Sequence, residues 1–472
     1  MSLKRFLKNI GITFWRRPKL PGVGRMNRST MAGAGRIGIV CTAALWLLCI
    51  SLWASAQTVT RGPYLQTATP VSVVVRWRTD TATNSRVCFG PDPGSLTSNA
   101  DVGAQTTEHG VTLFGLVPNT KYYYSVGTTA KELSGGPNCF FITPPPVGTA
   151  KPTRIWVIGD AGRASPDQRA VRDAYYSFAG GRHTDLWLML GDNAYNDGTD
   201  DQYQAAVFDI YGDLLRKSPV WPTFGNHDAH SASSVPQSGV YYDIFTLPTL
   251  GQAGGLMSGT EAYYSFEHAN IHSICLNSED VDRTTNGLML KWLKADLAAN
   301  HQDWTIAYWH HPPYSKGSHD TDSDKDSEGR MHDMRVYALP ILEDGGVDLI
   351  LCGHSHAYER SFLVDGHYDK SMTYDEKMIK DLRDGRSDGQ GAYHKASRGP
   401  APHEGTVYVV AGSGGQVSGG KLTYPAMYNS LNVLGSVVLD FSGSRLEAMF
   451  LDERGSLRDR FAITKGAVTG SQ

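Results

Sequence analysis

The chain of 472 residues is short of charge, short of cysteine and without an excess of positive side chains. Charged residues make up 19%, against about 25% in an average soluble protein. The formal net charge of −3 excludes a strongly basic nucleic-acid binder. No repeat of solenoid period is present, and no low-complexity tract is long enough to leave the chain mostly disordered. There are six cysteines, and Cys41 and Cys49 fall in an N-terminal leader. The other four, Cys88, Cys139, Cys275 and Cys352, have no CxxC spacing, which excludes a zinc-ribbon or thioredoxin-type site. Cys275 and Cys352 sit in apolar runs and read as buried thiols, whereas pairing of Cys88 with Cys139 stays open.

What is present is enough apolar material for a sizeable core, 40% hydrophobic and 10% aromatic. At roughly 150 residues per domain, the length predicts two or three domains. Residues 1–36 hold nine Lys or Arg and no acid. An uncharged run follows from Ile37 to Thr60, apolar through Trp53 and then Ala54-Ser55-Ala56. This order predicts a signal peptide over residues 1–56 and a secreted or periplasmic protein. Met26 and Met31 are alternative starts, and an uncleaved anchor, the one route to a membrane, is the competing reading. Removing the nine positive charges takes the net charge from −3 to −12, so the exported surface is acidic.

Residues 57–146 read as a first, all-β domain. Ser72-Val-Val-Val-Arg-Trp-Arg78 puts Val73, Val75 and Trp77 on one strand face. Further short strands are expected at 86–90, 110–116, 122–126 and 139–143, the spacing of a β-sandwich. Pro144-Pro145-Pro146 then begins a semi-rigid linker. No His, Asp or Glu cluster appears here, so a packing or positioning role is expected.

Residues 151–465 read as an α/β domain with an unusual feature. Five apolar runs each stop at residues able to bind metal: Ile155–Ile158 at Asp160, Leu186–Leu190 at Asp192, Val220–Phe224 at Asn226-His227-Asp228, Thr305–Trp309 at His310-His311, and Val347–Cys352 at His354-Ser355-His356. Helices expected at 167–178 and 287–299 supply crossovers. In open α/β sheets the functional crevice lies beyond the carboxyl ends of the strands. Each ending has a bland reading: a helix cap for Asp160, a polar turn at 226–228, packing for His310-His311. Gly353-His354-Ser355-His356-Ala357 also approaches the serine-hydrolase elbow but ends in Ala. Together the five point to a dinuclear site, because two ions about 3.5–4 Å apart grip both oxygens of a phosphoryl displacement. A cysteine-free oxygen and nitrogen set suits Fe, Mn, Zn or Mg.

The order Gly-Asp-x-Gly (159–162), Gly-Asp-x-x-Tyr (191–195), Gly-Asn-His-Asp (225–228), His-x-Pro-x-Tyr (310–314) and Gly-His-x-His (353–356) resembles the calcineurin-like metallophosphoesterases. More narrowly, it is similar to the purple acid phosphatases, as are Arg61-Gly-Pro-Tyr-Leu-Gln66 and Ala357-Tyr-Glu-Arg360. Leu116-x-Pro-x-Thr-x-Tyr-x-Tyr-x-Val126 resembles a fibronectin type III signature, the kind of domain those enzymes carry in front. The resemblance implies a fibronectin-like β-sandwich followed by a two-sheet α/β sandwich. It implies Asp160, Tyr195 and His356 on one metal, Asn226, His310 and His354 on the other, and Asp192 on both. It further implies Fe(III) bound by a coloured tyrosinate with a second ion of Fe, Zn or Mn. His227 matches a histidine that contacts substrate phosphate. His319 falls, in a looser match, where plant members carry a histidine that assists the leaving group. The activity implied is hydrolysis of small phosphate monoesters by a metal-bridging hydroxide. A phosphodiesterase or nucleotidase is the alternative, and an inactive binding protein is disfavoured by the full donor set.

Other segments read as less eventful. The acidic run Asp320–Glu328 lacks the glycine of a calcium loop and is expected to be solvated. Residues 364–404 are polar and Gly-rich, an expected insertion whose His367, His394 and His403 face solvent. Gly412-Ser-Gly-Gly415 lacks a P-loop ending, and residues 436–451 read as a hairpin around Ser442-Gly-Ser444.

Overall fold

The computed structural model describes residues 57–467, and the leader read at 1–56 lies outside them. The described residues form one compact unit. Its N-terminal part is a six-stranded antiparallel sheet built around Ser72–Gly90, a 19-residue strand. The strands expected separately at 72–78 and 86–90 are therefore two arms of one strand. Its register slips between Arg78 and Ser85, where threonines keep the backbone extended through a bend. The arms then face each other: Val73, Val75 and Trp77 share one core with Val87, Tyr124, Val126 and Phe141. Buried His109 fills the bend, bonding Thr79 Oγ1 and Ser85 Oγ at 2.8 Å each and stacking on Trp77. Cys88 and Cys139 are free thiols, as are Cys275 and Cys352.

The neighbouring strand Val59–Thr69 and Arg76 of the first arm are braced on the chain that follows. Tyr64 donates to the Ile244 carbonyl (2.6 Å), Arg76 to Thr246 Oγ1 (3.0 Å), and Arg61 to Asp200 (2.9 Å) and Gln204 (2.8 Å). The N-terminal sheet thus buttresses residues 200–246, the stretch that contains Asn226 and His227.

The rest is two seven-stranded sheets. One contains the adjacent parallel strands Thr153–Ile158, Leu186–Met189 and Val220–Pro222, continued by the hairpin Gly435–Ser442 and Arg445–Asp452 expected from sequence. The other has Trp304–Trp309 parallel to Ile271–Cys275 and Leu349–Cys352. Their facing sides share a core of Val157, Leu188, Ile306, Tyr308 and Leu351. Helix Pro166–Ala179 covers the outside of the first sheet, with Tyr175 stacked on Trp156 at 4.4 Å. It starts where Ser165 Oγ accepts from Gln168 N with Pro166 at the first helical position, and it stops at Gly180. Helix Leu288–Ala299 covers the second sheet through Leu290 and Leu293.

The expected insertion at 364–404 is partly core. Tyr393–Lys395 is a strand parallel to Leu457–Lys465, and Tyr393 and Lys395 are buried. His367 does not face solvent: it is buried, bonds the Tyr424 hydroxyl at 3.0 Å, and lies against Tyr314 and Tyr374. Burial pushes its imidazole down to about 4. His394 is half-buried, and His403 is exposed as expected.

Candidate metal centre

The carboxyl ends of the five strands converge, and their turns are strained. Asp160, Asp192 and His354 have φ of 55°, 51° and 66°, the left-handed region that costs a non-glycine residue energy. The preceding glycines explain how such turns fit. A Cβ on Gly191 would stand 2.6 Å from His310 Nδ1, and one on Gly353 would stand 2.4 Å from Asp160 Oδ2. Backbone bonds lock the turns further: His354 N donates to Asp160 Oδ2 (2.7 Å) and His227 N to Asp192 Oδ1 (2.9 Å).

Two triangles of donor atoms result. In one, the Tyr195 hydroxyl lies 3.2 Å from Asp160 Oδ1 and 3.3 Å from His356 Nε2, and those two are 3.5 Å apart. In the other, His310 Nε2 lies 3.0 Å from Asn226 Oδ1, 3.2 Å from His354 Nδ1 and 3.4 Å from Asp192 Oδ1. Asp160, Asp192 and His310 offer ligand atoms within 4.8 Å of one another, so Asp192 stands between the two groups.

The imidazoles are oriented from behind. His310 Nδ1 donates to the Leu190 carbonyl (2.8 Å), His354 Nε2 meets Ser327 Oγ (2.6 Å), and His356 Nδ1 meets Ser418 Oγ (2.8 Å). Because His310 Nδ1 donates to a carbonyl, its Nε2 is left with a lone pair in the neutral ring, and serines that accept from His354 and His356 would leave theirs likewise, the arrangement of metal-ligating histidines. Carboxylate, amide-oxygen and imidazole donors packed this closely in a largely buried site favour a cation between them. Burial, then the Asp160 and Asp192 carboxylates, pushes the Tyr195 phenol well up, so a phenolate here requires added positive charge. Burial alone would depress His310, but Asp192 and Asp160 outweigh it and hold it above its ordinary value. Burial, with His311 and His310 nearby, pushes His354 well down. The donor set therefore fits two hard or borderline ions.

His227 is half-buried beside this centre. Its Nδ1 is held by the Asn196 carbonyl (2.6 Å), its ring packs on Tyr195 (4.4 Å), and its Nε2 is 3.9 Å from Asp192 Oδ2. His319 stacks on His354 with ring centres 3.8 Å apart, and Asp326 Oδ1 accepts from its Nδ1 at 2.8 Å. The acidic run expected to be solvated thus reaches the centre through Asp326 and Ser327. His311, named with His310 at its strand end but given no role, is buried 4.3 Å from the His354 ring and bonded to Ser278 Oγ (2.9 Å). The doublet His310-His311 at a strand end was its one signal, since neighbouring residues point to opposite sides. Asp228, quoted only as part of a motif, is buried, accepts from Tyr203 (2.6 Å) and Asn193, and is pushed up to about 7 by burial and then Asp192.

The family model for calcineurin-like phosphoesterases matches residues 153–358, and that for the purple acid phosphatase N-terminal domain matches residues 62–139. Purple acid phosphatase 18 of Arabidopsis thaliana is 28% identical over 314 residues, covering 62% of this chain and 64% of its own. A purple acid phosphatase of Glycine max is 28% identical over 263 residues, covering 54% and 52%. The chain thus spans less than two thirds of the length of these two relatives. Among solved structures the fold is similar to a purple acid phosphatase from yellow lupin (Lupinus luteus) seeds, with a TM-score of 0.65 at 17% identity over 86% of this chain and 75% of that one. PhoD gives 0.59 at 14% identity over 86% and 90%. The motifs and both family-model matches agree: residues 62–139 and 153–358 are similar to the N-terminal and phosphoesterase domains of the purple acid phosphatases, within the calcineurin-like phosphoesterases.

Proposed function

We propose that this chain is an exported dinuclear-metal acid phosphatase that hydrolyses small phosphate monoesters. The observation that carries this reading is the pair of donor triangles joined by Asp192. Asp160, Tyr195 and His356 would hold one ion, Asn226, His310 and His354 the other, and Asp192 both. When bound, two such ions polarise the phosphoryl oxygens and activate water for attack. Tyr195 favours Fe(III) on its side, because phenolate is a hard, electron-rich donor, with Fe, Zn or Mn on the other.

The chain's own groups do the remaining work. The left-handed turns at Asp160, Asp192 and His354 fix the donors before substrate arrives, so little reorganisation is left for the reaction. His227, held through Nδ1, turns Nε2 toward the centre to donate to a phosphate oxygen and spread its charge. His319, held through Nδ1 by Asp326, keeps Nε2 for a proton to the departing alcohol. Export rests on the uncharged run 37–56 and predicts a mature N-terminus near Gln57.

The test pairs metal analysis with hydrolysis. Purified protein should carry two ions per chain and cleave an aryl phosphate monoester faster than the matching diester at acidic pH. Faster diester cleavage would move the function to a phosphodiesterase. Full activity with a single ion would overturn the dinuclear reading.

A further inference from the structure

Arg163 directly follows the Gly-Asp-x-Gly turn, and its backbone is fixed there. Its N donates to the Ala161 carbonyl (2.8 Å), Gly162 N to the Asp192 carbonyl (3.2 Å), and Tyr195 N to the Gly162 carbonyl (2.8 Å). The side chain is exposed but tethered twice. Its guanidinium carbon lies 4.3 Å from the centre of the Tyr195 ring, and the group donates to Gln416 Oε1. Gln416 Nε2 in turn lies 2.9 Å from His356 Nε2. Both tethers therefore belong to the wall of the metal centre.

Neither tether neutralises the charge. Two other cations around the centre are paired: Lys316 with Asp322 at 2.8 Å, and Arg330 with Glu279 at 2.9 Å and Glu328 at 3.0 Å. Among the described residues no carboxylate oxygen lies within 4.0 Å of Arg163. A guanidinium has five N–H donors in a planar fork suited to carboxylate or phosphate, and the protein engages one side of it here. The guanidinium has no lone pair to offer a metal, so beside the Tyr195 ring it borders the donor triangle without belonging to it.

We propose that Arg163, steadied by Tyr195 and Gln416, binds a second anionic group of the substrate, so that the preferred substrates are phosphate monoesters whose alcohol portion carries a carboxylate or another phosphate. This assignment rests on the phosphatase reading of the site, and its test reads binding rather than turnover. Methylphosphonate, phosphonoacetate and methylenediphosphonate are titrated calorimetrically into wild-type, Arg163→Gln and Arg163→Lys protein at matched metal content. Wild type should bind at least one two-anion probe about tenfold tighter than methylphosphonate, as expected for added charge-assisted hydrogen bonds. Phosphonoacetate and methylenediphosphonate separate carboxylate from phosphate as the second group. Arg163→Gln should cut the preference below about threefold, and Arg163→Lys should keep part of it. A preference that survives Arg163→Gln overturns the assignment. So does an equal loss for methylphosphonate, which would put Arg163 on the transferred phosphate instead. Binding with the expected preference by a protein that hydrolyses no monoester overturns the proposed activity and leaves standing only the anion-binding role of Arg163. Binding of no probe overturns both.

Discussion

The strand Leu349–Cys352 has a buried polar cluster at each end, and the two are built on opposite principles. At its amino end Asp348 is buried between two lysines, with Lys395 Nζ at 2.7 Å and Lys465 Nζ at 3.0 Å from Oδ1, while Oδ2 accepts from Thr305 N at 3.0 Å. Lys465 also donates to the Asp303 carbonyl at 2.6 Å. Every charge there has a protein partner, and the cluster ties the Tyr393–Lys395 and Leu457–Lys465 strands to the sheet. At the carboxyl end, His354 and His356 join carboxylates, an amide oxygen and a phenol whose lone pairs face one another. Ion pairs and hydrogen bonds within the chain hold the first cluster, whereas the second presents donor atoms that a cation from outside would join. Closed buried pairs serve the fold, and open ones are where a ligand is admitted.

Breaking the open cluster should give the largest effect. Asp192→Ala removes the carboxylate between the two triangles, so at least one ion per chain should be lost and aryl phosphate hydrolysis should fall by about 10⁴-fold or more. Elemental analysis with kinetics checks both, and retained activity with two ions bound would show that the bridge lies elsewhere. The fold should hold, because Asp192 is not part of any closed pair. Breaking the closed cluster should do the reverse. Asp348→Asn leaves two buried lysines without a counter-charge, a change that costs about 3–5 kcal/mol in buried pairs. Denaturant unfolding reads the loss, and metal content in the folded fraction should not change.

The open cluster was legible in sequence and the closed one was not, for a physical reason. Each of these candidate ligands ends its own apolar run, four of the five directly after a glycine, so local order alone marks Asp160, Asp192, Asn226, His310 and His354. Asp348, Lys395 and Lys465 meet only because a segment with the composition of a solvated insertion returns to pair with Leu457–Lys465. The same return buries His367 among Tyr314, Tyr374 and Tyr424, against the expectation of exposure. The single bent strand at 72–90 was hidden because Asp80 and Asn84 read as turn residues, while His109, supplied by another strand, satisfies the bend. Ser327, Ser418 and Asp326 support the histidines from loops whose paths only tertiary packing decides.

Tyr195→Phe sharpens the comparison inside the open cluster. It keeps the ring that Arg163 and His227 pack on and removes one donor oxygen of seven candidate ligands. The variant should fold, keep hydrolysis at a level reduced by about 10²-fold, and lose any broad visible band of the iron-loaded protein. A fully iron-loaded wild type without such a band would remove Tyr195 from the ligand set.

The smallest effect concerns a third cluster that tests whether closure by charge is the working rule. His272 is buried between Glu267 Oε1 on Nδ1 (2.9 Å) and Asp296 Oδ2 on Nε2 (2.8 Å), and Asp296 Oδ1 also accepts from Ser265 Oγ and Leu256 N. Burial alone would lower this imidazole, but its hydrogen bonds to Asp296 and Glu267 outweigh that and raise it from 6.5 to about 9. Because the folded value lies above the unfolded one, the stabilisation is fully present below pH 6.5 and is lost as pH rises through 9. Glu343 and Glu359, each pushed up to about 7 by burial, lose stability in the lower window between their ordinary value and 7. Cys275, pushed up to about 12 by burial, lowers stability only above its ordinary value of 9. His310, also held above its ordinary value, acts in the same direction, so His272 is isolated by the difference between wild type and variant. Between pH 7 and 9 unfolding free energy should fall by about 2 kcal/mol more in wild type than in His272→Gln, which is itself less stable at pH 7. An unchanged slope in the variant would mean that His272 is neutral in the fold, and that this cluster is held by hydrogen bonds without closure of charge.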